Sequence, residues 1–219
     1  MKNLQKMGGF AALYLAVAYL TGIVLFLFVL DYPSIVEPAQ KVALLVDKQM
    51  VIYITNLLMY VIFGVFLVVL TLALYERLNT ASPAIIRTAT AIGIIWAGAL
   101  IASGMVANAG IAPTVALYDK DPTQAALTWL AIESVANGLG GANGEILGGL
   151  WTLLVSWAAL QVSGLPKWLN YLGMLVGVIG IISTVPGLSD LAGLFGMSQM
   201  LWFVWLGIVL LRRSPSAAV

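Results

Sequence analysis

Stretches of about twenty mostly apolar residues recur along this chain, separated only by short polar breaks. At 1.5 Å per residue, a helix of that length crosses the ~30 Å hydrocarbon core of a bilayer. A backbone in lipid must satisfy its own hydrogen bonds, so such runs are read as membrane helices. Composition agrees. Of 219 residues, 62% are hydrophobic and 9% charged, against roughly 25% charged in a soluble domain. So few charges cannot cover a water-facing surface, which excludes a soluble globular enzyme and a disordered chain. Ten basic and nine acidic residues leave a net charge of +1, so no basic face exists for nucleic acid. The chain has no cysteine and no histidine. Their absence removes thiolate nucleophiles, iron–sulfur clusters, imidazole–metal sites and Ser–His–Asp triads. No cofactor and no metal are implied.

The fold class expected is all-α: a polytopic membrane protein of six transmembrane helices in one domain over about 1–213. The spans fall at about 8–30, 50–75, 83–108, 143–162, 168–185 and 191–211, with a disordered tail at 214–219. The first run is too long for a signal peptide and ends without a small-residue cleavage site. Pro83 suits a first helical turn. One or two short interfacial helices are expected outside. One follows Glu37-Pro38 and lays Val42–Val46 on the membrane; the other, at about 123–136, precedes the fourth span. Residues 109–122 are read as an outer loop. Lys2, Lys6, Arg77, Arg87, Lys167, Arg212 and Arg213 fall on one face of this arrangement, and Lys41, Lys48 and Lys120 on the other. The positive-inside rule then puts both termini in the cytoplasm.

The densest motif is Asn137-Gly138-Leu139-Gly140-Gly141-Ala142-Asn143-Gly144-Glu145, leading into Gly148-Gly149. Gly140, Gly144 and Gly148 recur every four residues, a spacing that forms one smooth helix-packing face. The alternative is a broken helix lining a cavity. A phosphate-cradling loop is disfavoured, since no strand precedes the motif and no Lys-Ser/Thr follows it. Glu145 lies near the start of the fourth span, where an ionisable residue is a functional hypothesis by default. It is either a hydrogen-bonding or proton-exchanging group within the membrane, or a solvated group at the headgroup level. Tyr53, Asn56 and Tyr60 share a face of the second helix, and Asn108 ends the third. These residues suggest an outward-opening polar pocket of Asn56, Tyr60, Asn108, Asn143 and Glu145. The competing reading is ordinary interhelical hydrogen bonding. Glu133 lies on a polar stripe with Gln124, Thr128 and Asn137, which a solvated face of an interfacial helix explains. Trp151, Trp157, Trp202 and Trp205 lie within spans and are read as packing or lipid-facing residues.

Three C-terminal segments carry a family resemblance. They are the turn Gly164-Leu165-Pro166-Lys167-Trp168-Leu169, the glycine-bearing Tyr171-Leu172-Gly173-Met174-Leu175-Val176-Gly177, and the last helix Leu201–Leu211 before Arg212-Arg213. With the basic N-terminus and long second helix, these resemble the bacterial six-helix membrane family called domain of unknown function 4386. The resemblance covers nearly the whole chain. It implies six spans in the bacterial inner (plasma) membrane, and it carries over no catalytic residues.

Two functions stand ahead of the rest. In one, the chain binds or transports a small amphiphile or lipid in the polar pocket. In the other, it is a non-catalytic accessory or oligomerising subunit that assembles through its glycine face, with itself or with a larger membrane complex. An intramembrane hydrolase or transferase is least favoured, because reactive residue types are nearly absent. The lipid bilayer is the one partner common to all three.

Overall fold

The computed structural model describes residues 2–79, 83–140 and 145–212, apart from the side chains of Lys2 and Pro33. Asn143, Gly144, Arg213 and the 214–219 tail lie outside the described residues. All regular structure among those described is helical. Helix α1 (Lys2–Ile23) runs on into a π-helical turn at Val24–Val29, and a 3-10 turn follows at Tyr32–Ser34. Helix α2 (Pro38–Asp47) precedes α3 (Gln49–Asn56), a second π turn (Leu57–Ile62) and α4 (Phe63–Leu78). Then come α5 (Pro83–Tyr118), α6 (Pro122–Gly140), α7 (Ile146–Val162), α8 (Lys167–Ile182) and α9 (Leu191–Arg212). Pro38 and Pro83 each stand first in their helices, where a missing N–H is harmless.

Four stretches among the described residues are long and apolar enough to cross a membrane: Asn3–Val29, Gln49–Leu78, Pro83–Tyr118 and Leu191–Arg212. Helices α7 and α8 are apolar but shorter, at 17 and 16 residues. Many large apolar side chains face outward, among them Phe10, Phe28, Trp168, Leu175 and Leu201. Water would not tolerate so much apolar exposure, whereas lipid does.

The chain forms two compact units. Unit 1 comprises Met1–Val17, Gly64–Gly98 and Gly141–Val219. Its tightest contact joins α7 to α8. A Cβ on Gly149 would stand 2.8 Å from the Gly177 carbonyl oxygen, and one on Gly177 would stand 2.7 Å from that of Gly149. Only glycine allows the two backbones this approach. Trp151 is fully buried, its ring 5.8 Å from those of Trp96 and Trp202 and 6.2 Å from Phe203. The tryptophans at 151, 157, 202 and 205 thus divide, with Trp151 and Trp202 in the core and Trp157 and Trp205 facing outward. Polar links also tie the helices. Thr152 Oγ1 donates to Gln199 Oε1 at 3.0 Å, Trp202 Nε1 to the Leu169 carbonyl at 3.1 Å, and Gln5 Nε2 to the Leu210 carbonyl at 3.0 Å.

Unit 2 comprises Ala18–Phe63 and Ala99–Gly140. Leu30, Val42, Leu45, Ile52, Ile111, Ala125, Ala126 and Trp129 form its core. Three expectations are corrected here. First, residues 109–118 are not an outer loop, because α5 continues to Tyr118 with Pro113 inside it. Proline forfeits one backbone bond, but burial of Ile111 and Thr114 and the seating of Gly110 against Ile132 hold the helix. Second, α2 forms where expected, yet its apolar face does not lie free for the membrane: Val42 and Leu45 are buried in the unit's core. Third, the polar stripe of α6 is a solvated face only at its start, where Gln124 is exposed. Glu133 and Asn137 turn inward, while Leu127, Leu130, Val135 and Leu139 are exposed.

The glycine spacing is also interrupted. Helix α6 ends at Gly140 and α7 begins at Ile146, so Gly140 and Gly148 lie on different helices and not along one face. Each is packed within its own unit, Gly140 against Ser103 and Tyr60, Gly148 against Trp96 and Phe195.

Ser103 Oγ donates to the Ala136 carbonyl at 2.8 Å and ties α5 to α6. Ser103→Ala is expected to remove about 1 kcal/mol. The apparent Tm in detergent should fall by about 2–4 °C. An unchanged Tm would show that this bond adds nothing.

Candidate functional site

A cavity of about 80 Å³ opens within unit 2. Its wall is built from six elements. The π turn after α1 brings Phe26, and the 3-10 turn brings Tyr32. Asp31, at φ 46°, takes the left-handed conformation that aspartate tolerates and turns the chain there. The α3 segment brings Ile52 and Asn56, and the π turn after it Tyr60. Both π turns therefore supply aromatic wall residues, in keeping with the frequent placement of π turns at functional sites. From α5 come Ser103 and Ala107, one helical turn apart. From α6 come Trp129, Glu133, Ala136 and Asn137, whose spacing puts them on one helix face. Gly104 permits the close approach of α5 to the second π turn, since a Cβ there would stand 2.7 Å from that of Tyr60.

The polar centre of the wall is Glu133. Its two carboxylate oxygens accept from Lys41 Nζ at 3.0 and 2.9 Å, and one also accepts from the Tyr32 hydroxyl at 2.6 Å. Trp129 Nε1 donates to that hydroxyl at 3.3 Å. Lys41 Nζ also stands 5.0 Å from the Tyr32 ring centroid, within cation–π range. The ion pair is largely shielded, with side-chain exposures of 21% for Lys41 and 12% for Glu133. Burial, followed by the bond to Glu133, pushes the Tyr32 phenol well above its ordinary range, so it stays a donor at neutral pH. Among the described residues, no group of three or more acidic side chains gathers as a metal site would require.

The residues singled out from the sequence separate. Asn56 and Tyr60 line the cavity. Asn108 stands behind Asn56, accepting from its Nδ2 at 3.0 Å and donating to the Tyr53 carbonyl at 3.2 Å. Glu145 belongs to unit 1 and is not part of this wall. It precedes α7, where its backbone N–H donates to Ser183 Oγ at 3.1 Å. The sequence reading missed Tyr32, Lys41, Trp129 and Glu133 as a group. One signal was present: Glu133 interrupts an otherwise apolar and small stretch between Leu130 and Ala136.

A family model, "Domain of unknown function (DUF4386)", matches residues 11–213 of the chain. No curated protein and no solved structure matches it.

Proposed function

The chain belongs to the DUF4386 family, and from that premise we propose that it is a six-span protein of the bacterial inner membrane that binds a small amphiphile or lipid in the unit 2 cavity. The observation that carries this reading is the wall itself, which joins four aromatic rings to Asn56, Ser103, Glu133 and Asn137 around one space. Concave sites with an apolar majority and a few convergent polar groups are the usual form of ligand pockets. Glu133 and Asn137 line the cavity while Leu127, Leu130, Val135 and Leu139 of the same helix face outward, which suits a wall with lipid on its other side. Helices α7 and α8, about 24–26 Å long, serve as the two shorter spans with their flanking residues. The distribution of basic residues supports cytoplasmic termini and a cavity toward the outer side. The alternative of an assembly subunit has less support, because Gly140 and Gly148 pack against neighbours in the same chain.

The test is native mass spectrometry of protein carried from its own membrane into nanodiscs. The wild type should retain one small molecule or lipid per chain. Ala107→Phe, which puts a ring into the cavity, should lose it. Equal retention by the variant, or no bound molecule in the wild type, would refute the reading.

A further inference from the structure

Within the proposed cavity, and resting on that reading, the chemistry of the wall selects among ligands. Glu133 supplies a carboxylate, and Phe26, Tyr32, Tyr60 and Trp129 supply aromatic rings. A carboxylate among ring faces is the complement of an organic cation. Lys41 reproduces that recognition from within the chain, bridging both oxygens of Glu133 while its ammonium stands over the Tyr32 ring. We propose that the cavity receives an alkylammonium group, which takes the place of Lys41 against Glu133 and the Tyr32 ring.

Three considerations favour a cation. An anion entering the cavity would meet Glu133, while the one ammonium beside it is already engaged. A neutral polar group could hydrogen-bond the carboxylate but would leave its charge uncompensated if it displaced Lys41. Lys41 itself sits on a four-carbon stem and is partly exposed, so its charge can withdraw to the surface when another cation arrives. Size agrees as well. The cavity, at about 80 Å³, is several times what one water requires and has room for a small headgroup. The source is either a free amine cation or the choline head of a lipid.

The experiment uses the full chain in phosphatidylglycerol nanodiscs and measures equilibrium binding of choline and of 3,3-dimethyl-1-butanol, its uncharged carbon isostere. Choline should bind at one per chain, and the isostere about ten-fold more weakly or worse. Lys41→Met, which removes the internal competitor, should tighten choline binding by about ten-fold, and Glu133→Gln should weaken it by at least as much. If Glu133→Gln does not fold, the isostere comparison and Lys41→Met decide the matter. Repeating the measurement in phosphatidylcholine nanodiscs identifies the source. Lost choline binding there assigns the site to the lipid headgroup, and unchanged binding assigns it to the free cation; both support an ammonium site. Equal binding of choline and its isostere, indifferent to Lys41→Met, would overturn the cation proposal and leave the cavity reading intact. Binding of neither probe would also overturn it, and if native mass spectrometry then finds no bound molecule, the cavity reading falls too.

Discussion

Gly149→Leu is expected to prevent α7 and α8 from docking and to leave little folded protein. The Cβ alone would stand 2.8 Å from the Gly177 carbonyl oxygen, 2.8 Å from the Ile181 nitrogen and 3.0 Å from the Gly180 carbonyl carbon. These are backbone atoms of a helix, so no side-chain rotation relieves the contact. The two helices must separate, and they lose the close packing that holds helices together where lipid competes for every apolar surface. Overpacking in cores ordinarily costs about 1–3 kcal/mol, and a leucine against backbone lies at or beyond the upper end. An apparent Tm lowered by 6–12 °C, roughly what 3 kcal/mol means for a chain of this size, is the smallest effect expected. Gly98→Ala is the control. Nothing lies within 4 Å of a Cβ at that position of α5, and alanine is the better helix former by about 1 kcal/mol. Its Tm should hold or rise. A Gly149→Leu protein that melts with the wild type would mean that the α7–α8 approach is not a source of stability.

Glu133→Ala should be the most damaging change in unit 2. It removes the acceptor of Lys41 Nζ and of the Tyr32 hydroxyl together. Breaking a buried pair by deleting one partner costs about 3–5 kcal/mol, because the other charge stays behind without compensation. Lys41 retains 21% side-chain exposure, so part of that loss is relieved by solvation, and about 2–4 kcal/mol is expected. The double variant Lys41→Met/Glu133→Leu should recover most of it, since an apolar pair of similar volume often matches a buried ion pair. A thermodynamic cycle over the two single variants and the double variant measures the coupling. Additive losses would show that the pair does not act as a unit.

Composition and apolar run length were enough to establish an all-helical membrane chain, and most helix ends followed from local signals. Pro38 and Pro83 mark starts, and Asp121-Pro122 marks the beginning of α6. Local reading failed where a residue's partner is distant in sequence. Glu133 looked like part of a wet stripe because the one local signal, the apolar and small stretch it interrupts, does not say which groups it meets. Its partners, Tyr32 and Lys41, lie 101 and 92 residues away. Glu145 drew attention as an ionisable residue near the start of a span, yet its backbone bonds Ser183 and Gly149 and it takes no part in the cavity wall. The same holds for the glycines. Spacing of four picked Gly140, Gly144 and Gly148, while Gly149 and Gly177 are the glycines through which α7 and α8 bring their backbones together.

The sequence by itself determined solvent and secondary structure, because hydrophobicity and backbone hydrogen bonding act residue by residue and are summed along each run. It determined that the chain is apolar enough for a membrane, that it is helical and which charges flank its apolar runs. Only the tertiary structure decided which polar groups meet. A helix face that must bury Glu133 or leave it to lipid has no local preference strong enough to choose. That choice rests on Lys41 and Tyr32 arriving from another part of the chain to satisfy the carboxylate.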